Sequence, residues 1–338
     1  MANCNNLFSQ FVENIDILDS KRQAMMKSRE NLRDHIRSNF EKNHPEYKIK
    51  FYIQGSYKMG TSIRNEADEC DLDDGVYISP KPGVTCATLQ NWVFDAVGGI
   101  TDETPIKKNK CIRVPYKANY HIDLPIYIKN DLQDKDETPC LAIKSSDYEE
   151  SDPKAIVDWF NNAKKDNSQL VTIVKCLKAW GDHVKESMPP GLAMTILAVR
   201  YQKKDDRDDI ALRDTLKAIR NGLESKFECY VPAVPHDDMF SEYSDQKKNN
   251  ILDYLDSFIA DASSAINESN ELKASKLWKR HLGERFPEGE DKENEKQSKL
   301  NSLRDSILNK TARISSTGVI GSFVNGVAGA SHTNFGDQ

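Results

Sequence analysis

The stretch Cys70-Asp71-Leu72-Asp73-Asp74-Gly75-Val76-Tyr77-Ile78 constrains this chain more than any other. Side chains alternate across a strand, so Leu72, Val76 and Ile78 share an apolar face while Asp71, Asp73 and Tyr77 share the opposite one. Two carboxylates on one strand face can seat a divalent cation. Just upstream, Gln54-Gly55-Ser56-Tyr57-Lys58-Met59-Gly60 puts a small-residue turn ahead of a helix start, where backbone N–H groups can hold phosphate. A third acid, Asp123, lies in Tyr120-His121-Ile122-Asp123-Leu124-Pro125-Ile126-Tyr127-Ile128, a strand predicted to lie beside the first. Three carboxylates with triphosphate oxygens suit two magnesium ions, with manganese as an alternative, and metal-assisted phosphoryl chemistry.

Around this centre the pattern predicts α+β architecture. One helical stripe runs from Leu7 to Phe40 and is stopped by Asn43-His44-Pro45. Strands follow over Tyr47 to Ile53, Cys70 to Ile78, Cys111 to Val114 and Tyr120 to Ile128, with a short helix over Leu89 to Val97. Lys117-Ala118-Asn119 is the turn of a hairpin, and Pro125 implies an edge or bulge. A polar connection, from Asp131 to Thr138 and then from Lys144 to Asp152, leads into helical stripes, among them Leu170/Ile173/Val174/Leu177/Trp180. Glu288 to Lys299 reads as a charged loop, Leu300 to Leu308 as a last helix, and the Gly- and Ser-rich tail from Ser315 as flexible. The expected division is a core over 1–145 with a long N-terminal helix, a helical lobe over 146–314 closing the cleft, and a tail over 315–338.

Composition excludes several classes. Seven scattered cysteines without a CxxC pair argue against a disulfide framework and a zinc site, and for a reduced cytoplasm. No secretory signal or apolar run of about 18 residues is visible, so neither export nor a membrane span is expected. A net charge of −6 disfavours duplex DNA as a partner.

The Gly-Ser turn, the Asp-Leu-Asp strand and the later Asp123 resemble the DNA-polymerase-β-like nucleotidyltransferases. Within them, Gln54-Gly55-Ser56, Cys70 to Tyr77 and the late Leu277-Trp278-Lys279-Arg280-His281-Leu282-Gly283-Glu284-Arg285-Phe286-Pro287 resemble the cGAS/DncV-like CD-NTases of bacterial CBASS anti-phage defence. The resemblance implies a mixed sheet with flanking helices and a helical C-terminal lobe. It implies template-independent synthesis of a cyclic oligonucleotide from ATP, GTP or other NTPs, with a cyclic GMP-AMP-like product favoured. Asp71, Asp73 and Asp123 would be catalytic metal ligands, and Gln54, Gly55 and Ser56 would contact the nucleotide. Lys178 matches a phosphate-binding lysine of the helical lobe. Lys175, read as lying on a solvated face, is the weaker alternative. Where relatives open the next helix with Ser, this chain has Pro190-Gly191. Operon partners such as an effector, ubiquitin-like conjugation machinery or other regulators are implied. Two other readings stay open: transfer of one nucleotide to a protein, RNA or small molecule, and a nucleotide-binding partner without catalysis.

Overall fold

The computed structural model describes residues 2–185, 187–315, 319–321 and 327–328. Two helices, α1 (Asn5–Ile15) and α2 (Asp19–Asn43), precede strand β1 (Lys48–Gln54), the single-turn α3 (Gly55–Met59) and β2 (Cys70–Ser79). Helix α4 (Cys86–Val97) follows, then β3 (Ile106–Lys107), β4 (Ile112–Tyr116), β5 (Tyr120–Leu124), β6 (Ile126–Ile128), β7 (Cys140–Ala142) and β8 (Tyr148–Glu150). The rest of the architecture is helical: α5 (Pro153–Ala163), α6 (Gln169–Val184), α7 (Gly191–Tyr201), α8 (Asp208–Ser225), α9 (Asp245–Asn267), α10 (Glu271–Leu282) and α11 (Lys292–Leu308).

β2 is the spine of the sheet. β1 runs antiparallel along one side of it. On the other side β5 and then β6 run parallel to it, in the order β3-β4-β5-β2-β6-β7-β8. Pro125 separates β5 from β6 without shifting register, since Asp73 pairs with Asp123 and Val76 with Ile126. The position is interior rather than at the expected edge. Pro125 is tolerated because β4 pairing ends at Leu124 and β7 pairing begins only at Ile128 and Tyr127, so no neighbour there asks for its missing N–H. Its carbonyl still accepts from Val76 N at 2.8 Å.

The long N-terminal helix is two helices. Asp16 is extended (ψ 156°) and ends α1. Arg64 takes the carbonyls freed there: its side chain donates to Asn14 O at 2.6 Å and Asp16 O at 2.7 Å, and its backbone N–H to Ile15 O. The two helices serve different cores. Leu7, Phe8, Phe11 and Ile15 of α1 pack among the C-terminal helices with Trp180, Phe258, Trp278 and Phe286. Met25, Leu32, Ile36 and Phe40 of α2 pack with α4 on the sheet face that carries Leu72, Val76 and Ile78. Each such buried side chain stabilises by about 1.5–3 kcal/mol.

Other departures are local. β7 lies between the two polar segments and β8 within the second, and α5 follows, capped by Asp152 through Ala155 N and with Pro153 in its first turn. Helix α11 begins at Lys292, inside the stretch read as a loop. Most of the tail expected to be flexible lies outside the described residues; Ile320–Gly321 and Val327–Ala328 pair with Arg313–Ile314.

Candidate active site

The register of β2 against β5 brings the acids together. Asp73 is the direct neighbour of Asp123, and Asp71 of His121. Side chains at paired positions share a face, so Asp71, Asp73 and Asp123 all stand on the side of the sheet away from α2. Asp74 points the other way and is fully buried, gripped by Arg33 through Nε at 2.7 Å and a terminal nitrogen at 2.6 Å. It is a structural ion pair, as its place on the apolar face of the strand predicts.

The Gly-Ser turn meets this face. Gly55 sits at φ +63°, and a Cβ there would lie 2.1 Å from Asp73 Oδ2. Only glycine allows both the left-handed backbone and that approach. Gln54 is buried and donates to the Tyr127 hydroxyl at 3.0 Å, while its own Oε1 has no partner. Ser56 Oγ bonds Ser62 Oγ at 2.8 Å. From the helical lobe, Lys178 crosses the cleft and donates to Thr61 O at 3.0 Å. It runs so close to Gly191 that a Cβ there would fall 2.9 Å from Lys178 Cε. The Pro190-Gly191 departure thus makes room for the lysine. One turn on, Thr195 faces the same cavity, but its hydroxyl donates to Gly191 O at 2.8 Å and leaves only lone pairs to offer.

Two cavities flank the acids. One of about 480 Å³ is lined by Gln54, Gly55, Ser56, Asp71, Asp73, Tyr127, Lys178 and Thr195. The other, about 300 Å³, is lined by Asn65, Glu69, Asp71, His121, Lys178 and Asp182. Asp71, Lys178 and Gly191 form the shared wall.

The electrostatics are those of an acidic centre that Lys178 and Arg113 compensate only in part. Burial, then the charges of Asp71 and Asp123, push the Asp73 carboxyl up to about 8. Burial pulls the Lys178 ammonium down, against the opposing pull of Asp71 and Asp73. Asp123 is held by Arg113, its register partner on β4, through Nε at 2.8 Å and a terminal nitrogen at 2.7 Å. Among the described residues, no three His, Cys, Asp or Glu side chains are already arranged to hold a metal. The hard oxygen donors and the excess negative charge nevertheless fit a magnesium-type ion.

Lys175 is not on a solvated face. It is buried and pairs with Asp16 at 3.0 Å, because the break between α1 and α2 brings Asp16 over α6. Its ammonium is engaged by Asp16 and tethers the N-terminal segment. Arg64 and Arg285 share Asp68 at the junction between lobes. Trp180 and Trp278 are core. Sequence reasoning missed Arg113, Thr195 and Tyr127. Arg113 was within reach: folding the hairpin about Lys117-Ala118-Asn119 places it opposite Asp123.

Comparison with known proteins agrees with this geometry. Residues 49–127 match the family model of the nucleotidyltransferase domain of proteins like the cyclic GMP-AMP synthase DncV. A cyclic GMP-AMP synthase of Escherichia albertii is 30% identical over 194 residues, covering 52% of this chain and 42% of that protein. One from Escherichia coli is 25% identical over 257 residues, 58% of this chain and 56% of that protein. The chain thus spans about half the length of these curated relatives. The crystal structure of Vibrio cholerae DncV, a cyclic AMP-GMP synthase, superimposes with a TM-score of 0.72 at 19% identity, over 84% of this chain and 97% of that one. That match shows the polymerase-β-like sheet with its helical lobe. Over residues 49–127 the chain is thus similar to the DncV-like nucleotidyltransferases, and over most of its length it shares the DncV fold.

Proposed function

We propose that this protein joins two ribonucleoside triphosphates into a cyclic dinucleotide without a template, as a messenger in anti-phage signalling. The observation that carries the reading is the placement of Asp73 beside Asp123, with Asp71 on the same face, opposite the Gly55-Ser56 turn and Lys178. The two cavities that share Asp71 and Lys178 support a site for two nucleotides. Asp71, Asp73 and Asp123 would hold two magnesium ions, which when bound supply Lewis acidity toward phosphate oxygens and the acceptor hydroxyl. Ser56 and Lys178 would neutralise and orient the triphosphate. Asp123 would help take the proton from the acceptor hydroxyl as its oxygen bonds the α-phosphorus and the bond to pyrophosphate breaks. A second such transfer closes the ring. The relatives named above are cyclic GMP-AMP synthases, and a Vibrio cholerae DncV structure holds the linear intermediate pppA(3′,5′)pG. By that likeness ATP and GTP are the first substrates to try. No described helix is long and apolar enough to cross a membrane.

The test is incubation with ATP, GTP and magnesium, followed by mass spectrometry of the products. A phosphatase-resistant dinucleotide is expected from the wild type and none from Asp71→Ala or Asp73→Ala. Full synthesis by either variant would refute the ligand assignment. A labelled protein or RNA in place of a free product would redirect the reading to single-nucleotide transfer.

A further inference from the structure

We infer that Arg113 is a built-in counter-cation: it occupies Asp123 until a divalent ion takes the carboxylate, and so raises the metal concentration at which the site assembles. The inference rests on the reading of Asp71, Asp73 and Asp123 as metal ligands. Four observations carry it. Both Asp123 oxygens are engaged, one by Arg113 Nε at 2.8 Å and one by a terminal nitrogen at 2.7 Å. Such a fork is the strongest hydrogen-bonded arrangement open to a carboxylate, and its lone pairs are directed at N–H groups rather than a shared ion. Asp71 and Asp73 line the larger cavity, whereas Asp123 is among the lining residues of neither cavity. The Asp123 side chain keeps 12% of its surface and that of Arg113 keeps 27%, so the guanidinium has solvent to retire into.

The contrast with Arg33 sharpens the case. Arg33 grips Asp74 with the same fork, but Asp74 is 0% exposed and packed against the apolar core, where nothing competes for it. Asp123 has Asp73 as its strand neighbour and a cavity beyond that neighbour. Small divalent ions demand near-ideal octahedral oxygen geometry, so an oxygen cannot serve both the ion and a tight N–H donor along the same lone pair. The fork takes one lone pair on each Asp123 oxygen and leaves the other, so the guanidinium competes with an ion for the carboxylate's charge and orientation and has to yield one of its two contacts for Asp123 to turn those occupied lone pairs to an ion. A purely structural pair would affect the stability of the β4–β5 hairpin and leave metal affinity untouched.

Mn²⁺ binding to the nucleotide-free protein, followed by electron paramagnetic resonance, separates these roles. Arg113→Gln is expected to tighten Mn²⁺ binding about tenfold, which is about 1.4 kcal/mol, and to lower the magnesium concentration for half-maximal turnover. Arg113→Lys, which keeps the charge but loses the fork, should tighten it by about two- to threefold. In an Asp123→Asn background, Arg113→Gln should change nothing, because the pair no longer exists. Unchanged or weaker Mn²⁺ binding in folded Arg113→Gln overturns the inference. If that variant fails to unfold cooperatively in urea, the same result in Arg113→Lys overturns it. Equal tightening in the Asp123→Asn background would also overturn it, by showing a general charge effect. Wild-type Mn²⁺ binding that is indifferent to Asp71→Asn and Asp73→Asn would instead sink the metal-site reading itself, and this inference with it.

Discussion

An added Cβ at Gly55 would lie 2.1 Å from Asp73 Oδ2, whereas one at Gly60, also at positive φ, would meet nothing nearer than Lys164 Nζ at 3.8 Å. The two glycines therefore share a backbone cost and differ in what they touch. Gly60→Ala should lose about 1–2 kcal/mol of stability through the left-handed conformation alone and keep its turnover. Gly55→Ala should lose a similar amount and also drive Asp73 off its position, lowering the rate by about 10²-fold. Denaturant melts beside pyrophosphate release check this; equal activity in the two variants would mean that the close approach has no catalytic consequence. Asp74 gives the opposite test. Asp74→Ala leaves Arg33 without its buried partner and should cost about 3–5 kcal/mol, read from urea unfolding. Whatever fraction folds should bind Mn²⁺ like wild type. At this scale the chain was open to reading wherever alternation decided the face, as for Asp71, Asp73 and Asp74. It was closed where a side chain's partner came from far along the sequence. Lys175 borders an apolar stripe and looks solvated on its own helix, yet Asp16, 159 positions away, covers it.

Elements were legible in proportion to their periodicity. The stripes of α6, α8 and α9 stand out because each repeats one burial pattern over many residues, and β2 stands out because it alternates over Cys70–Asp74 before running on fully buried. β7 and β8 have three residues each, too short to show a period; β7 is a brief apolar run between polar segments and β8 lies inside the second of them. The break between α1 and α2 is invisible for another reason. The stripe continues through it, and what ends α1 is a side chain supplied by the loop before β2. Arg64 donates to Asn14 O, Asp16 O and Asp68 Oδ1 at 2.6–2.7 Å and keeps 13% of its surface. Arg64→Ala should leave the last α1 carbonyls and a carboxylate without these donors and cost about 2–4 kcal/mol. The same loss in an unfolding titration of Arg64→Lys would follow if the fork matters, since one ammonium cannot reach three acceptors. Near-wild-type stability in both variants would show that water caps α1 equally well.

The two main cores, beside a small third cluster of Tyr77, Tyr127, Leu141 and Ile143, are bridged by the loop between α3 and β2, a loop that also walls the smaller cavity with Ile63, Asn65 and Glu69. Acids tie that loop to both neighbours. Glu66 receives His183 at 2.5 Å and Lys185 at 3.3 Å from the helical lobe, and its backbone donates to Asp182 at 2.7 Å. Asp68 is shared by Lys21, Arg64 and Arg285. Partial burial acts to raise both carboxyls, but the hydrogen bonds and charges of those partners win and hold them below their ordinary values of 4.5 and 3.8. A carboxyl that ionises more readily folded than unfolded favours folding above its unfolded value. That gain disappears as pH falls through the lower, folded value. The tethers should therefore be intact at neutral pH and fail below about pH 4. Both side chains keep more than a third of their surface, so screening limits the effect to about 2 °C in melting temperature. Melting curves from pH 7 to 3 should fall more steeply for the wild type than for Glu66→Gln with Asp68→Asn, which has no such carboxyls to protonate. Parallel curves would show that apolar packing, and not these ion pairs, holds the loop between the cores.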